Sequence, residues 1–178
     1  RAEFVALVNR AYKIEKSDTP YPFSDVTPSD WFYDQVMSGK AAGYIAGYPD
    51  GTFKPNHPIS RQEAAVLLAK LLRLSSEEQA DTVPFADYPN IDQWAQSSIH
   101  AVITHGIMSG FPDKTFKAQK SLTRVEAVVS LDRSLSYQAP AIVPEKEPEP
   151  AGSGSSGGKS GSGGGNGGDN GGNNGQPA

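Results

Sequence analysis

Three arginines of this chain stand where the sequence predicts the first turn of a helix. Arg61 and Arg124 each follow a Ser or Thr that can cap a helix, and Arg1 opens the chain in a similar run of residues. A helix N-terminus carries partial positive charge, so a cation there is unfavourable by ~0.3–1 kcal/mol. The functional interpretation is an anion site, in which helix N–H groups and a guanidinium together hold a carboxylate or phosphate. The structural interpretation is a salt bridge, for instance to Asp25 or Asp87, or packing on an aromatic ring. The residues alone leave both open.

The two tryptophans, Trp31 and Trp94, occupy corresponding positions near the start of another pair of predicted helices. Burial in the core is the more common role for a Trp in a small domain. At the rim of a groove, however, the flat apolar face of an indole could stack on the C–H face of a sugar ring. Both interpretations stay open at this point.

Two loops carry a Gly followed by an aromatic residue and Pro-Asp, at Gly47-Tyr48 and Gly110-Phe111. Gly lets a ligand approach the backbone closely, but Gly also permits the tight turn itself. With Pro and Asp beside it, the turn is a sufficient explanation. We expect Phe53 and Phe116, at the end of these loops, to fold back as apolar anchors.

The remaining polar residues predict neither catalysis nor metal binding. Asp50-Gly51-Thr52 is similar to part of a calcium loop, but it supplies too few oxygen ligands for Ca²⁺. His57, His100 and His105 match no metal-site or catalytic-triad spacing, and no phosphate-binding loop is present. We therefore predict no catalytic residue, no metal site and no cofactor.

These residues belong to a repeat whose copies lie about 63 positions apart. Trp31 and Trp94 are separated by 63 positions, and so are Arg61 and Arg124, while the opening residues from Arg1 align with the final part of each copy. Each full copy predicts a helix, a loop and a second helix. Because small repeats usually stack to share one core, the pattern favours a binding surface over an active site.

The first helix of each copy has recognisable ends. It should begin after Asp30 in one copy and after Asp92 in the other, since both are good capping residues immediately before the Trp region. It should end at Gly43 or Gly106, where a residue in the left-handed conformation is expected.

The second helix of each copy begins at a capping box. Ser60 with Glu63, and Thr123 with Glu126, have the spacing at which cap and third residue satisfy each other's backbone donors. We assign both Glu residues to capping. The residues that follow form an apolar stripe on each helix, as do those after Arg1. We predict an all-α, pseudo-three-fold domain of helix-loop-helix repeats around a central three-helix bundle.

Composition divides the chain near residue 138. Residues 1–137 carry 14 Lys/Arg and 16 Asp/Glu, a balance that argues against nucleic acid or an anionic membrane as the partner. No segment approaches transmembrane length. Residues 138–178 are rich first in Pro and Glu and then in Gly, Ser and Asn. We expect them to form a disordered linker that could tether a fused cargo domain. Lacking an initiator Met, the chain looks like a piece of a longer protein.

Together these motifs resemble the S-layer homology (SLH) domain. The residues that carry the resemblance are the series Phe-x-Asp-Val, Trp, Gly-x-Ile-x-Gly-(Tyr/Phe)-Pro-Asp-Gly-Thr-Phe-x-Pro and (Ser/Thr)-Arg-x-Glu-Ala. The resemblance implies the end of a first repeat at 1–16, a second repeat at 22–74 and a third at 84–137. It further implies a non-catalytic pseudo-trimer of repeats that anchors exported proteins to the bacterial cell wall, at the extracellular surface.

The resemblance also implies a ligand and the residues that hold it. The expected ligand is a secondary cell-wall polysaccharide, often with a pyruvylated sugar, or a peptidoglycan-linked polymer, held in grooves between repeats. Because a pyruvyl ketal presents a carboxylate, the resemblance favours the anion-site interpretation. The expected ligand-binding residues are Arg61 and Arg124 at the carboxylate with Arg1 by alignment, Trp31 and Trp94 at the sugar face, and the backbones of Gly47, Tyr48, Gly110 and Phe111.

The third copy departs from the family pattern at Tyr88, Lys114 and Ala118, which weakens the prediction for its groove. Two other functions remain open. One is a self-associating structural module of a surface layer. The other is the targeting module of an exported polysaccharide-degrading enzyme.

Overall fold

A computed structural model describes residues 1–19, 21, 23–74 and 85–137. Its five α-helices are α1 (Ala2–Tyr12), α2 (Tyr33–Ala41), α3 (Arg61–Leu71), α4 (Gln93–Thr104) and α5 (Arg124–Ser136). Tyr88–Asn90 form a short 3-10 helix. In the described ranges, β-type pairing is limited to a single bridge between Ser60 and Ser121. None of the described helices is long and apolar enough to cross a membrane. The predicted linker at 138–178 lies outside the described residues.

The sequence predicts that α2 and α4 each begin directly after an Asp, but only α4 does. Helix α4 begins directly after Asp92, as expected, but the Asp92 side chain makes no capping hydrogen bond. Helix α2 begins at Tyr33, two residues later than predicted. The Asp30 carboxylate accepts a hydrogen bond from the Thr27 backbone N–H at 2.6 Å, and the Asp92 carboxylate accepts from Gln62 and Gln119. Neither Asp therefore caps its helix.

The other predicted helix ends are confirmed. The Ser60 hydroxyl accepts from the backbone N–H of Glu63 while the Glu63 carboxylate accepts from that of Ser60, so α3 begins at a complete capping box. The same reciprocal pair begins α5. Gly43 and Gly106, which follow α2 and α4, have φ values of 82° and 69°. That left-handed conformation is the one expected just after a helix.

The second helix of one copy packs against the first helix of the next. Helix α1 packs on α2, α3 packs on α4, and α1 also contacts α5. The stripe of α3 that includes Ala65 and Leu68 is fully buried, and so are Ile99 and Val102 of α4. Neighbouring copies therefore share one core, as stacked repeats must when a single repeat cannot bury its own apolar face.

A closed ring of three ion pairs joins the first turns of α1, α3 and α5. In each pair, the Arg of one helix meets the Glu in the Arg-x-Glu motif of the next helix. The pairs are Arg1–Glu63 at 2.7 Å, Arg61–Glu126 at 3.2 Å and Arg124–Glu3 at 3.1 Å. A chain of contacts that returns to its start after three steps is what three-fold pseudosymmetry requires. The predicted all-α, pseudo-three-fold fold class is confirmed.

Candidate functional site

An Asp near the start of each copy holds the loop that precedes the second helix. Asp25 accepts hydrogen bonds from the backbone N–H groups of Phe53 and Lys54, at 2.8 and 2.7 Å. Asp87 accepts equivalent bonds from Phe116 and the residue after it, at 2.8 and 2.7 Å. Both Phe side chains are fully buried, which confirms them as anchors. The two carboxylates suggested as partners of the cap arginines therefore serve the loop backbone instead.

An aromatic ring requires the Gly of each loop, and at Gly47 the left-handed backbone requires Gly as well. Gly47 has a φ of 79°, and a Cβ placed there would lie 2.4 Å from the Phe23 ring. A Cβ on Gly110 would lie 2.2 Å from the Phe85 ring. Both distances are far inside van der Waals contact. Each Gly thus lets a Phe of its own copy pack directly under the loop.

Two departures of the third copy, Lys114 and Ala118, keep the local features of the loop. Lys114 adopts the left-handed conformation of its counterpart Gly51, with φ of 59° against 78°. The Ala118 carbonyl accepts a hydrogen bond from the Gln62 backbone at 3.0 Å, and the Pro55 carbonyl accepts the equivalent bond from α1 at 3.0 Å. The loops differ at their first Gly, because Gly47 lies in the left-handed region with φ of 79° and Gly110 does not.

The Arg61 guanidinium is enclosed by the loop of the next copy. Its Nε donates to the Phe116 carbonyl at 2.8 Å, Nη2 donates to the Ser109 carbonyl at 2.7 Å, and Nη1 pairs with Glu126. The rings of Phe111 and Phe116 each lie 4.7 Å from it. Only 5% of the side chain is exposed, and burial lowers the pKa of Arg61 although nearby carboxylates oppose the shift. A salt bridge and aromatic packing, the two parts of the structural interpretation, are both present.

Arg1 repeats this arrangement on the loop of the second copy. Its Nε donates to the Phe53 carbonyl at 2.9 Å, Nη1 pairs with Glu63, and the Tyr48 ring lies 4.6 Å from the guanidinium. The Tyr48 hydroxyl also donates to Glu63. Burial and this hydrogen bond raise the pKa of Tyr48 to about 12. The side chain of Arg1 is 7% exposed, so this guanidinium is also largely satisfied within the protein.

Three elements converge on the carboxylate of Glu63. Its Oε2 accepts from the Ser60 backbone N–H at 2.8 Å, and its Oε1 accepts from Arg1 and Tyr48. Burial by itself would raise the pKa of Glu63. The hydrogen bonds from Ser60 and Tyr48 and the charge of Arg1 outweigh burial and hold the pKa below its ordinary value. An ionised carboxylate therefore joins the helix start, the loop and the neighbouring Arg.

Arg124 has the same position in sequence but an open environment. Its guanidinium lies 3.1 Å from Glu3, and the two side chains are 86% and 67% exposed. An ion pair this exposed contributes only ~0–1 kcal/mol, because water and salt screen it. Of the three predicted arginines, this one keeps its charge accessible to an external anion.

Two grooves lie between helices of neighbouring copies. The larger, with a volume of about 710 Å³, is bordered by α3 and α4 and is called the α3–α4 groove. The residues that line it include Arg1, Gly47, Tyr48, Glu63, Asp92 and Trp94. Within it, Asp92 accepts hydrogen bonds from Gln62 at 2.7 Å and Gln119 at 3.1 Å, which lower the pKa of Asp92. The other amide atom of Gln62, Oε1, is buried with no hydrogen-bond partner in the described part of the chain.

The second groove has a volume of about 580 Å³ and lies between α1 and α5. We call it the α1–α5 groove, and it is the pseudo-three-fold counterpart of the first. The residues that line it include Glu3, Leu7, Arg10, Trp31, Arg124 and Ala127. Their counterparts in the α3–α4 groove include Glu63, Leu67, Lys70 and Trp94. The repeat therefore builds two related grooves with different side chains.

Both tryptophans are exposed, and each lies in one of the grooves. Trp31 is 65% exposed in the α1–α5 groove, and Trp94 is 55% exposed in the α3–α4 groove. Burial in the core, the more common role for Trp, is wrong for both. A large apolar face held open to water beside polar groups is a feature of binding sites.

The structure divides the nine predicted site residues into three groups. The α3–α4 groove contains Arg1, Gly47, Tyr48 and Trp94, and the α1–α5 groove contains Trp31, Arg124 and again Arg1. The remaining residues, Arg61, Gly110 and Phe111, lie together outside the lining of both grooves. There the Phe111 ring is faced by Arg61, Lys117 and Lys120 at 4.5–4.8 Å.

Sequence reasoning missed two features of the grooves. Arg10 lies seven positions after Glu3, on the same face of α1, so helical spacing could have identified it. Asp92, Gln62 and Gln119 come from three separate segments, and no local pattern links them. Across the described ranges, no group of three or more His, Asp or Glu side chains is arranged to hold a metal ion.

Pseudo-three-fold helical repeats with grooves between them define a class of repeat proteins that bind along inter-repeat surfaces. Within that class, the family model of the S-layer homology domain matches residues 22–65 and 84–128. The chain therefore belongs to the S-layer homology domain family.

The chain is also similar in sequence to several named proteins. The chain is 35% identical over 121 residues, 64% of its length, to "Cell surface glycoprotein 1" of Acetivibrio thermocellus. It is 35% identical over 114 residues, again 64% of its length, to the "Cellulosome-anchoring protein" of the same organism. It is 31% identical over 131 residues, 71% of its length, to an "Amylopullulanase" of Thermoanaerobacterium thermosulfurigenes.

These matches span only a small part of each relative. The chain covers 5% of the surface glycoprotein, 26% of the anchoring protein and 7% of the amylopullulanase. The family and its surface-protein members place the chain at the extracellular cell surface.

Proposed function

We propose that this chain is a non-catalytic anchoring module that binds a secondary cell-wall polysaccharide, or a related peptidoglycan-linked polymer, through its two grooves. The observation that carries the proposal is the pair of exposed tryptophans, Trp31 and Trp94, at corresponding positions in the grooves. An indole face matches the apolar C–H face of a sugar, while polar groups beside it can fix the hydroxyls.

Each predicted site residue receives a role in this proposal. Trp31 and Trp94 contact sugar faces, and Arg124 contacts a carboxylate such as that of a pyruvyl ketal. The Gly47-Tyr48 backbone forms a wall of the α3–α4 groove. Arg1 takes a positioning role, because its guanidinium is already bonded to the loop and to Glu63.

The third group of predicted residues takes a positioning role as well. A ligand carboxylate at Arg61 would have to displace the Phe116 or Ser109 carbonyl or Glu126. We propose that Arg61 instead holds the loop that carries Gly110 and Phe111. In this way it fixes the border between the second and third copies.

The domain organisation predicted from the sequence is part of the same proposal. The end of a first repeat at 1–16, the repeats at 22–74 and 84–137, and a linker at 138–178 would anchor a fused cargo. The match to an amylopullulanase supports a second form of the function, the targeting module of a polysaccharide-degrading enzyme. The two forms are compatible, because an anchor needs a cargo.

Co-sedimentation with purified cell walls tests the anchoring function. The chain should pellet with walls that carry their polysaccharide and stay soluble with walls from which hydrofluoric acid has removed it. Replacing both groove tryptophans, Trp31→Ala with Trp94→Ala, should weaken binding at least about tenfold, as loss of a Trp anchor commonly does. Arg73→Ala is the control, since Arg73 is exposed and lines neither groove. Equal pelleting with intact and stripped walls would contradict the proposal.

Self-association is a second candidate, and one observation favours it. Four apolar side chains of α5 are exposed, namely Val125, Val128, Val129 and Leu135. Such a patch can pair with another protein surface. Sedimentation equilibrium without polymer distinguishes the two functions. A monomer at all concentrations supports the anchor alone, and concentration-dependent assembly that Val125→Glu abolishes supports a lattice module.

A further inference from the structure

Resting on the proposed function, we infer that the α3–α4 groove reads an ammonium group on a sugar, such as the free amine of an unacetylated amino sugar. The contact residue is Asp92, and Gln62 is the residue that positions it. Together with Gln119 they form what we call the Asp92 corner of the groove. All three residues belong to the second and third copies.

The Asp92 corner joins three separate segments around one carboxylate. Asp92 directly precedes α4, Gln62 lies in the first turn of α3, and Gln119 lies in the loop before α5. The Asp92 Oδ2 atom accepts from the Gln62 amide nitrogen at 2.7 Å and from the Gln119 amide nitrogen at 3.1 Å. The other oxygen, Oδ1, takes part in neither bond. The carboxylate is therefore held in one orientation, with one oxygen left to accept from a ligand.

Gln62 is an unusual residue for its place in the helix. It is 3% exposed, and its Oε1 is buried with no hydrogen-bond partner in the described part of the chain, which costs free energy. The corresponding residue of α1 is the buried Ala2, so the fold does not need a polar side chain at this position. Since a carboxylate only accepts, the Gln62 nitrogen must face Asp92 and the oxygen is left over. Holding Asp92 accounts for this Gln, whereas filling the core does not.

The corner offers a negative charge and hydrogen-bond acceptors. The hydrogen bonds from Gln62 and Gln119 lower the pKa of Asp92, so the carboxylate is ionised at neutral and mildly acidic pH. Both amide nitrogens already donate to it. An ammonium group matches such a corner because it has three donors, no acceptor and a positive charge. Trp94, exposed in the same groove, offers a ring face that attracts a cation and packs on the sugar.

The other charged groups of the groove do not cancel this preference. Arg1 is 7% exposed and paired with Glu63 at 2.7 Å, so that pair carries no net charge. Lys70 lies eight residues beyond Gln62 on α3, about 12 Å along the helix axis. That separation exceeds the screening length of about 8 Å at physiological ionic strength. Asp92 therefore sets the charge that a ligand meets at this corner.

Trimers of glucosamine, N-acetylglucosamine and glucose with the same linkage separate charge from hydroxyl binding. Each is titrated into the full chain at about pH 6, where the free amine is protonated. The indole N–H signal of Trp94 in proton–nitrogen correlation spectra, assigned with Trp94→Phe, reports binding. The glucosamine trimer should bind at least about tenfold more tightly than either neutral trimer, as a charged hydrogen bond predicts. His57 also lines the groove, but at one pH its charge is the same for every ligand.

Asp92→Asn removes the charge and keeps the shape of the side chain. It should weaken binding of the glucosamine trimer about tenfold and change binding of the N-acetylglucosamine trimer by less than about twofold. The matched control is Asp18→Asn, because Asp18 is exposed and lines neither groove.

Gln62→Met tests the positioning role, because Met has a similar shape but cannot donate to Asp92. It should weaken binding of the glucosamine trimer about fivefold. Its urea midpoint should stay at or above that of the wild type, since the variant buries no polar atom without a partner. Gln93→Met is the matched control, since Gln93 is exposed and lines neither groove.

Several results would overturn the inference. They are equal binding of the amine and N-acetyl trimers, normal amine binding by Asp92→Asn, and a Gln62→Met variant that loses stability but no affinity for the amine. An equally strong response to a lysine amide whose α-amine is acetylated would also overturn it, because a peptide amine would then serve as well as a sugar. None of these bears on whether the chain binds walls, which the sedimentation assay decides. If the wild-type chain fails to pellet with walls that keep their polysaccharide, it is the proposed function that fails.

Discussion

The same residue type at the same motif position has two different environments in this chain. Arg61 lies 5% exposed in a cage of two carbonyls, a carboxylate and two aromatic rings, whereas Arg124 lies 86% exposed beside Glu3. The difference arises because the loop that encloses Arg61 has no counterpart around Arg124 among the described residues. A buried, paired guanidinium stabilises the fold, while an exposed one remains available for binding.

This contrast predicts unequal effects of one substitution on stability. Arg61→Ala should lower the free energy of unfolding by about 3 kcal/mol, because it leaves the Phe116 and Ser109 carbonyls without this donor and removes one of the two cations paired with Glu126. Arg124→Ala should lower it by less than about 1 kcal/mol. Urea denaturation of both variants is the measurement. Similar losses in the two variants would mean that the cage around Arg61 contributes no more than an exposed pair.

A second residue-scale prediction concerns two glycines of one loop. Gly47 and Gly51 have nearly equal φ values, 79° and 78°, but only at Gly47 would a Cβ collide with the Phe23 ring. Gly51→Ala should cost ~1–2 kcal/mol for the left-handed backbone alone. Gly47→Ala should cost roughly 1–3 kcal/mol more, because the ring must move. Thermal unfolding of the pair measures the difference, and equal midpoints would show that the ring yields freely.

At the scale of elements, the start of each second helix is tied to its neighbours through one carboxylate. Glu63 completes the capping box of α3, pairs with Arg1 before α1 and accepts from Tyr48 in the loop. Glu126 does the same for α5 with Arg61 and Lys120. The Glu63 carboxylate is therefore both part of a helix cap and part of an ion pair between repeats. Its protonation should weaken the start of α3 and the contact with Arg1 together.

The pH dependence of stability follows from this link. The pKa of Glu63 in the folded chain lies below its ordinary value of 4.5. The unfolded chain therefore binds the proton first, so the stabilisation is fully present above that value and is lost as pH falls through the folded-state pKa. Glu63→Gln should be less stable than wild type at neutral pH and should lose less stability on acidification. Urea midpoints from neutral pH to about 3 provide the measurement, and parallel curves for the two proteins would contradict it.

At the scale of the whole molecule, the packing unit differs from the sequence repeat. Helix α3 packs on α4 of the following copy, and α1 packs on α2 in the same manner. Each groove lies at such a border between copies. Both the core and the grooves are therefore properties of adjacent repeats and not of any single one.

Because the copies share one core, we expect a destabilising substitution in one copy to lower the stability of the other as well. Ile99→Ala removes a fully buried side chain of α4 and should destabilise the chain by about 2–4 kcal/mol. In a Trp94→Phe background, the fluorescence of Trp31 reports the second copy alone. Its unfolding midpoint should fall together with the helical circular dichroism signal. A Trp31 midpoint that stays in place would show that the copies unfold independently.

Much of this architecture could be predicted because its causes are local. Capping boxes, left-handed glycines and the apolar stripe of α3 depend on residues a few positions apart, and the structure confirms them. Helix α5 differs, since Val125, Val128, Val129 and Leu135 are exposed. The predicted start of α2 is wrong by two residues, and the Asp30 carboxylate binds the Thr27 backbone instead of capping the helix. The exposure of the tryptophans could not be derived from their spacing, since burial depends on what a neighbouring copy places over them.

The sequence by itself determined the helical class, the repeat and the set of residue types that could bind a charged sugar. Only the tertiary structure decided which of them are exposed and which are buried. Arg1, Arg61 and Arg124 are alike in sequence, yet Arg1 and Arg61 are 7% and 5% exposed against loops of other copies, whereas Arg124 is 86% exposed. The physical reason is that the partners of each guanidinium lie tens of residues away in sequence. The spacing of residues along the chain does not show which of these partners come close in space.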